Sequence, residues 1–196
     1  MTVLDIGTNM GVTALHFSQR VGTTGKVIGF EPDKINYDKA TTNIALNNFK
    51  NIVVENIGLG NENTTMKLYL VNDENRGMNR ILTSTVPYPF IEIPVRVLDD
   101  FIKEHPLKKI DLIKIDVEGF EMNILQGATS IIKQYRPILF IELDDNNLKA
   151  HGHSAKDLIS FVKAFDYEII HSETNKAIND TSSFVNCHYD IICTPN

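Results

Sequence analysis

Tryptophan is absent from this 196-residue chain, and cysteine occurs twice, at Cys187 and Cys193. Six residues of extended chain at ~3.3 Å each would hold the two thiols about 20 Å apart, which excludes a bridge between them and with it a disulfide scaffold. No apolar run approaches the ~20 residues that span a bilayer, and the N-terminus lacks the basic and apolar regions of a signal peptide. A soluble, cytoplasmic protein with reduced thiols is expected. Asn63-Thr-Thr and Asn179-Asp-Thr match the glycosylation triplet, which has no secretory signal beside it and reads as chance. Positive charge is also scarce: 19 Lys and Arg stand against 25 Asp and Glu, for a net charge of −6. The longest basic run is Lys108-Lys109, so a phosphate-tracking nucleic-acid surface is not expected. What is present, 42% hydrophobic and 22% charged residues, suits one globular domain over residues 1–196. Repeats, low-complexity tracts and linkers are lacking.

Short β-branched runs alternate with helical patterns. Strands are predicted at Thr2–Ile6, Lys26–Phe30, Ile52–Asn56, Ile110–Asp116 and Pro137–Leu143, mostly apolar throughout, as strands buried on both faces of a parallel sheet are. Helical spacing covers Val12–Val21, Asp33–Asn48 and Phe120–Lys133, and Ser154–Phe165 opens with a serine cap and an acid three residues on. This β-α-β-α-β order predicts a doubly wound α/β fold. Met66–Val71 and Ile91–Val97 read as extra strands flanking a polar loop, 72–89. Tyr167–Ile170 and His188–Cys193 are predicted to pair antiparallel at the sheet edge.

The first strand ends in Asp5-Ile-Gly-Thr-Asn-Met-Gly11, which places glycines at the carboxyl edge of a parallel sheet, where doubly wound folds bind ligands. Gly7 and Gly11 permit close backbone approach. Glu31, followed by Pro32 at the end of the second strand, suits a ribose diol, and Asp5 suits an ammonium group. A nucleoside ligand is the reading, with Asp5, Gly7, Thr8, Asn9, Gly11, Glu31, Pro32, Asn56 and Asp116 as its candidate contacts. The nicotinamide pattern G-x-G-x-x-G is not met, because Asn9 stands where the second glycine belongs. A tight turn capped by Asp and Asn, with no ligand, fits the same residues.

That segment, with Phe30-Glu-Pro-Asp33, Val97-Leu-Asp-Asp-Phe101, Asp111-Leu-Ile-Lys-Ile-Asp-Val-Glu-Gly-Phe-Glu121, Leu125-Gln-Gly-Ala128, Arg136-Pro137, Phe140-Ile-Glu142 and Asp190-Ile-Ile-Cys-Thr-Pro195, resembles the FkbM family of S-adenosylmethionine-dependent methyltransferases. The resemblance implies a class I methyltransferase fold, Rossmann-like and three-layered, with a seven-stranded mostly parallel sheet whose last strand is antiparallel. It also implies S-adenosylmethionine as cofactor and O-methylation of a sugar, glycan or secondary-metabolite hydroxyl. Family members usually carry a helical segment before the first strand that helps cover the cofactor; here the first strand begins at residue 2, and reduced cover is expected.

A sulfonium donor is already activated, so the protein's task is to align an oxygen behind the methyl carbon and remove a proton. Asp116 and Glu118 reach the ligand edge, and Lys114 shares a strand face with Asp116, so that Asp116 or Glu142 should neutralise it. Asp116 is assigned to position acceptor or cofactor, and Glu118 or Glu142 to act as base. A structural ion pair of Lys114, with Glu118 and Glu121 at a helix N-terminus, is the competing reading. No metal is assigned, although His151, His153, Asp144 and Asp145 follow the fifth strand and carboxylates on that edge could hold a magnesium ion. Arg76, Asn79, Arg80 and Tyr88 are expected to meet a small-molecule or glycan acceptor. A nicotinamide-dependent oxidoreductase and a cofactor-binding protein without activity are the alternatives.

Overall fold

Four of the five apolar runs become neighbours in the middle of one sheet: β1 (Thr2–Ile6), β2 (Lys26–Phe30), β8 (Leu112–Ile115) and β9 (Ile138–Asp144), with β3 (Ile52–Glu55) closing one edge. The computed structural model describes residues 1–71, 76–82, 86–179 and 182–196; residues 72–75 and 83–85 of the polar loop and residues 180–181 of the second glycosylation triplet lie outside the described residues. Val3–Ile6 and Val27–Phe30 are buried without a break, as strands covered on both faces should be. The edge opposite β3 is the predicted antiparallel pair, β10 (Tyr167–His171) and β11 (His188–Pro195). Here β11 inserts between β10 and β9, antiparallel to both, giving the order β10-β11-β9-β8-β1-β2-β3.

Both faces are covered. Val3, Val27, Ile52 and Val54 pack with Ala14 of α1 (Val12–Val21) and with Tyr37 and Ile44 of α2 (Lys34–Leu46). Leu4, Ile6, Ile28, Phe30, Ile113 and Ile115 point the other way, into a larger cluster. That cluster also takes Leu59, Leu68, Ile81 and Ile93 from a second sheet of β4 (Gly58–Gly60), β5 (Thr64–Tyr69), β6 (Arg80–Ile81) and β7 (Phe90–Val97), in the order β4-β7-β5-β6. Only β5 and β7 are long enough for their alternation to show in the sequence.

The predicted helix Phe120–Lys133 is two helices. Two others, α3 (Leu98–Glu104) and α6 (Asp145–Lys149), were not anticipated; α4 (Glu121–Gln126) stops at Gly127 and α5 begins at Thr129. A Cβ on Gly127 would lie 2.0 Å from the Gly60 carbonyl oxygen, so β4 packs onto the break. The new N-terminus is capped from a distance: Asp99 of α3 accepts from the Ser130 and Ile131 N–H groups. The last helix, α7 (Ala155–Lys163), has the predicted Ser154–Asp157 capping box.

The chain builds outward from β1 through β2 to β3, then in the opposite direction from β8 through β9. The strand order therefore reverses between β1 and β8, and the crevice of a doubly wound sheet opens at such a reversal. In register, Ile6 faces both Phe30 and Ile115, and Ile115 faces Ile141. One residue further on, Glu31, Gly7, Asp116 and Glu142 emerge as a row along that edge, and Asp190 of β11 opposes Glu142.

Candidate functional site

The turn after β1 is left-handed at Gly7, Asn9 and Gly11, with φ of 79°, 50° and 84°. Gly7 has no alternative: a Cβ there would stand 1.9 Å from the Asp116 carbonyl oxygen, because the turns after β1 and β8 touch backbone to backbone. Four of the turn's amide groups are spent within the protein. Gly7 and Thr8 both donate to the Phe30 carbonyl, Gly11 donates to that of Thr8, and Asn9 donates to Glu31 Oε2 at 2.7 Å. Glu31 Oε1 takes the Asp33 N–H at 2.9 Å. Burial pushes the Glu31 carboxyl up to about 7 against these two donors. Asn56 secures the same corner by donating to the carbonyls of Glu31 and Pro32.

Asp33 ties this corner to the polar loop. Its Oδ1 caps α2 at Ile35, while Oδ2 accepts from Arg76 at 2.7 Å and from Asn79 at 2.8 Å. Arg80 is held as well, by Glu118 at 3.3 Å and Asn147 at 3.0 Å. Of the loop predicted to meet an acceptor, Arg76, Gly77, Asn79, Arg80 and Ile81 line the cleft, and both arginines are engaged by the protein. Tyr88 is exposed and away from the cleft wall.

Beneath the turn, Lys114 is 6% exposed and Asp5 is fully buried. Lys114 Nζ donates to the Gly7 carbonyl at 3.0 Å and stands 3.2 Å from Asp116 and 3.6 Å from Asp5. Burial alone would lower the lysine pKa, but the two carboxylates hold it above its ordinary value. Glu142 was the other partner considered for Lys114; Asp5 and Asp116 fill that place because strand register puts Asp5 directly beside Lys114. The cation facing Asp5 is the protein's own, and among the described residues no donor bonds to its carboxylate oxygens.

After β8 the chain turns through Glu118 and Gly119, with φ of 58° and 106°. Glu121, buried to 1%, fixes this turn by accepting from the Val117 and Gly119 N–H groups, and burial raises its carboxyl to about 7. Burial also raises Glu118, opposed by Arg80. At the end of β9 the Glu142 carboxyl is pushed up to about 8, first by burial and then by the charges of Asp116, Glu121 and Glu118. Facing it across β11 are Asp190 and, two residues earlier, His188.

These elements enclose a cleft of about 230 Å³. Gly7, Thr8, Asn9, Glu31, Pro32, Lys114, Asp116 and Glu118 line it, together with Arg76, Asn79 and Arg80. Asp5, Gly11, Asn56 and Glu142 support the wall from behind or beside it. The residues weighed for a metal are dispersed: His151 lies edge-on to Phe120 at 5.3 Å, Asp145 pairs with Lys149 and the Ala155 N–H, and Asp144 binds His188. Among the described residues no group of three His, Cys, Asp or Glu is arranged to hold a metal ion.

His188, Asn147 and the Asp33 knot were missed from sequence. The register of the terminal antiparallel pair is what would have found His188, since it sets His188 opposite Asp144.

Comparison with known proteins agrees with this fold. Methyltransferase 1 of Beauveria bassiana is 25% identical over 146 residues, spanning 64% of this chain and 57% of that protein. The structure of the methyltransferase FkbM from Methylobacillus flagellatus KT superposes with a TM-score of 0.60 at 21% identity, covering 98% of this chain and 43% of the other. The chain therefore spans less than two thirds of the length of either. Aeropyrum pernix fibrillarin, solved with natively bound S-adenosyl-L-methionine, superposes with a TM-score of 0.54 at 14% identity, over 98% of this chain and 65% of that one. The fold is that of the class I methyltransferases. Residues 5–169 match the Methyltransferase FkbM domain, and the chain belongs to that family.

Proposed function

We propose that this protein is an S-adenosylmethionine-dependent methyltransferase that transfers the methyl group to a hydroxyl of a sugar, glycan or secondary metabolite. The observation that carries the reading is how the β1 turn spends its amides. Four of them bond inside the protein, one to Glu31. A pyrophosphate needs those amides free, so a dinucleotide is disfavoured, whereas a nucleoside without phosphate needs only the acid. Each Glu31 oxygen holds one backbone N–H and keeps a second lone pair, enough for both hydroxyls of a ribose. Pro32, Met10 and Ile57 supply apolar wall for a base.

S-adenosylmethionine, when bound, supplies an electrophilic methyl group on sulfonium. Asp116, exposed at the crevice and anchored through its backbone N–H to the Ile6 carbonyl, is placed to take an ammonium or an acceptor hydroxyl. Lys114 keeps the two turns in register through Gly7 and balances Asp5. Of the two acids, Glu142, beside the cleft, is assigned as the base: Glu118 already serves Arg80 and Asn147, while Glu142 Oε2 takes no hydrogen bond from the described residues. Arg76 and Asn79 sit over the nucleoside side through Asp33, Arg80 spans to Glu118 and Asn147, and the Glu142–Asp190 end of the row is assigned to the acceptor.

The test is methyl transfer from labelled S-adenosylmethionine to a panel of monosaccharides, glycans and polyhydroxylated metabolites. Label in a base-stable ether is the expected product. Label found only in carboxylate esters or amines would overturn the hydroxyl assignment.

A further inference from the structure

An imidazole stands beside the Glu142 end of the row, on β11. His188 lies opposite Asp144 in the strand register, its Nδ1 is 2.7 Å from Asp144 Oδ2, and its Nε2 is 3.7 Å from Glu142 Oε1. Asp144 is itself held, accepting from the Asn146 and Asn147 N–H groups at the start of α6. Asn147 in turn donates to Glu118, which Arg80 pairs. Every member of this chain therefore has a fixed neighbour. Its two ends differ in solvation: the Glu142 side chain is 17% exposed, that of His188 67%.

We propose that His188 is the proton exit of the acceptor site, exchanging one proton with Glu142 through a water that bridges the 3.7 Å gap and passing it to solvent. This rests on the methyltransferase reading above. Asp144 fixes the ring by accepting from Nδ1–H, which turns Nε2 toward Glu142. One proton then lies either on Glu142 or on Nε2. When it is on Nε2, Glu142 is a carboxylate and can accept the acceptor's hydroxyl proton. That O–H bond breaks as the oxygen forms its bond to the methyl carbon, and the C–S electron pair stays on sulfur. The imidazolium then gives its Nε2 proton to solvent, and the proton on Glu142 moves across to restore the shared state. Charge and protons balance with no further reactant.

The surrounding charges suit this exchange. The Asp144 hydrogen bond raises His188, with Glu142, Asp144 and Glu118 adding to it. His188 in turn opposes the rise of Glu142. Asp190, on the same strand and opposite Glu142, is itself raised by burial and by Asp116. Arg80 reaches this group through Glu118 and Asn147; Lys114 pairs with Asp116 and opposes the rise of Asp190, to which Glu173 adds.

The experiment is an NMR titration of the histidine imidazoles in the whole chain, with calorimetric titration of S-adenosylhomocysteine into the same samples. In the parent chain His188 titrates above an ordinary histidine, with Nδ1 as the protonated nitrogen of its neutral form. Glu142→Gln removes the shared proton and lowers the His188 midpoint; Asp144→Asn lowers it and releases the tautomer. Where turnover is measured, the basic limb of the pH–rate profile moves in His188→Gln, which keeps a donor to Asp144 but carries no exchangeable charge. A His188 midpoint unmoved by Glu142→Gln overturns the proposal, as does an unchanged pH profile in His188→Gln. Absence of S-adenosylhomocysteine binding with the coupling intact is a separate result: it defeats the methyltransferase reading, and with it the relay's role, while the shared proton stands.

Discussion

Glu121 makes the stability of this protein depend on pH in a way that one substitution should remove. The side chain is buried to 1% and holds the turn Val117–Gly119 through one oxygen. Burial raises its carboxyl from 4.5 to about 7. Between those values the folded chain keeps a proton that the unfolded chain has released, so the native state binds more protons and stability falls as pH rises. The contribution is complete below about pH 4.5 and gone above about pH 7. At about 1.4 kcal/mol per tenfold in proton affinity, the gap is worth at most about 3 kcal/mol. Glu121→Gln keeps the accepting oxygen and cannot ionise. Whatever fixed cost its amide NH₂ brings cancels when the same variant is compared at two pH values. Urea unfolding at pH 5 and pH 8.5 is the assay. From the lower to the higher pH, the parent should lose about 1–3 kcal/mol more than the variant. Parallel losses, within about 0.5 kcal/mol, would refute the buried-acid argument.

Other consequences follow from the same contacts. Lys114→Met strips the counter-charge from Asp5 and should cost about 3–5 kcal/mol in urea unfolding, with part recovered in Asp5→Asn/Lys114→Met; a single variant as stable as the parent would contradict the ion pair. Gly7→Ala places a Cβ 1.9 Å from the Asp116 oxygen at a φ of 79°, and should lower Tm by several degrees and weaken nucleoside binding; an unchanged Tm would show that the two turns do not touch. Arg76→Ala removes one of the two side chains that tie the polar loop to Asp33, and should weaken S-adenosylhomocysteine binding in calorimetric titration while lowering thermal stability, since the buried Asp33 carboxylate loses its counter-charge; unchanged affinity would mean that Arg76 does not help to close over the nucleoside.

Much of the fold was legible because the central strands are apolar on both faces and α1 and α7 have sharp ends: Gly11 and Gly22 bound the first, Ser154 and Asp157 open the second. The break in Phe120–Lys133 was not, because what ends α4 is β4 packing on Gly127, and what caps α5 is Asp99, about thirty residues away in sequence. The Gly7–Gly11 turn and the Glu31-Pro32 step were readable for a local reason: both sit at strand ends. The acceptor side depends on register. Lys114 meets Asp5 because β1 and β8 are neighbours, and His188 meets Asp144 because β11 runs back between β9 and β10. The arginines of the loop carried a charge signal, but their partners, Asp33 and Glu118, lie tens of residues away.

The central claim is a nucleoside cleft organised by Glu31. Calorimetric titration of S-adenosylhomocysteine into the 196-residue chain and into Glu31→Ala, with NAD as control, tests it most directly. The account predicts binding to the parent, loss of about tenfold or more in the variant as charge-assisted hydrogen bonds disappear, and no binding of NAD. Equal affinity in parent and variant, or NAD binding in place of S-adenosylhomocysteine, would contradict it.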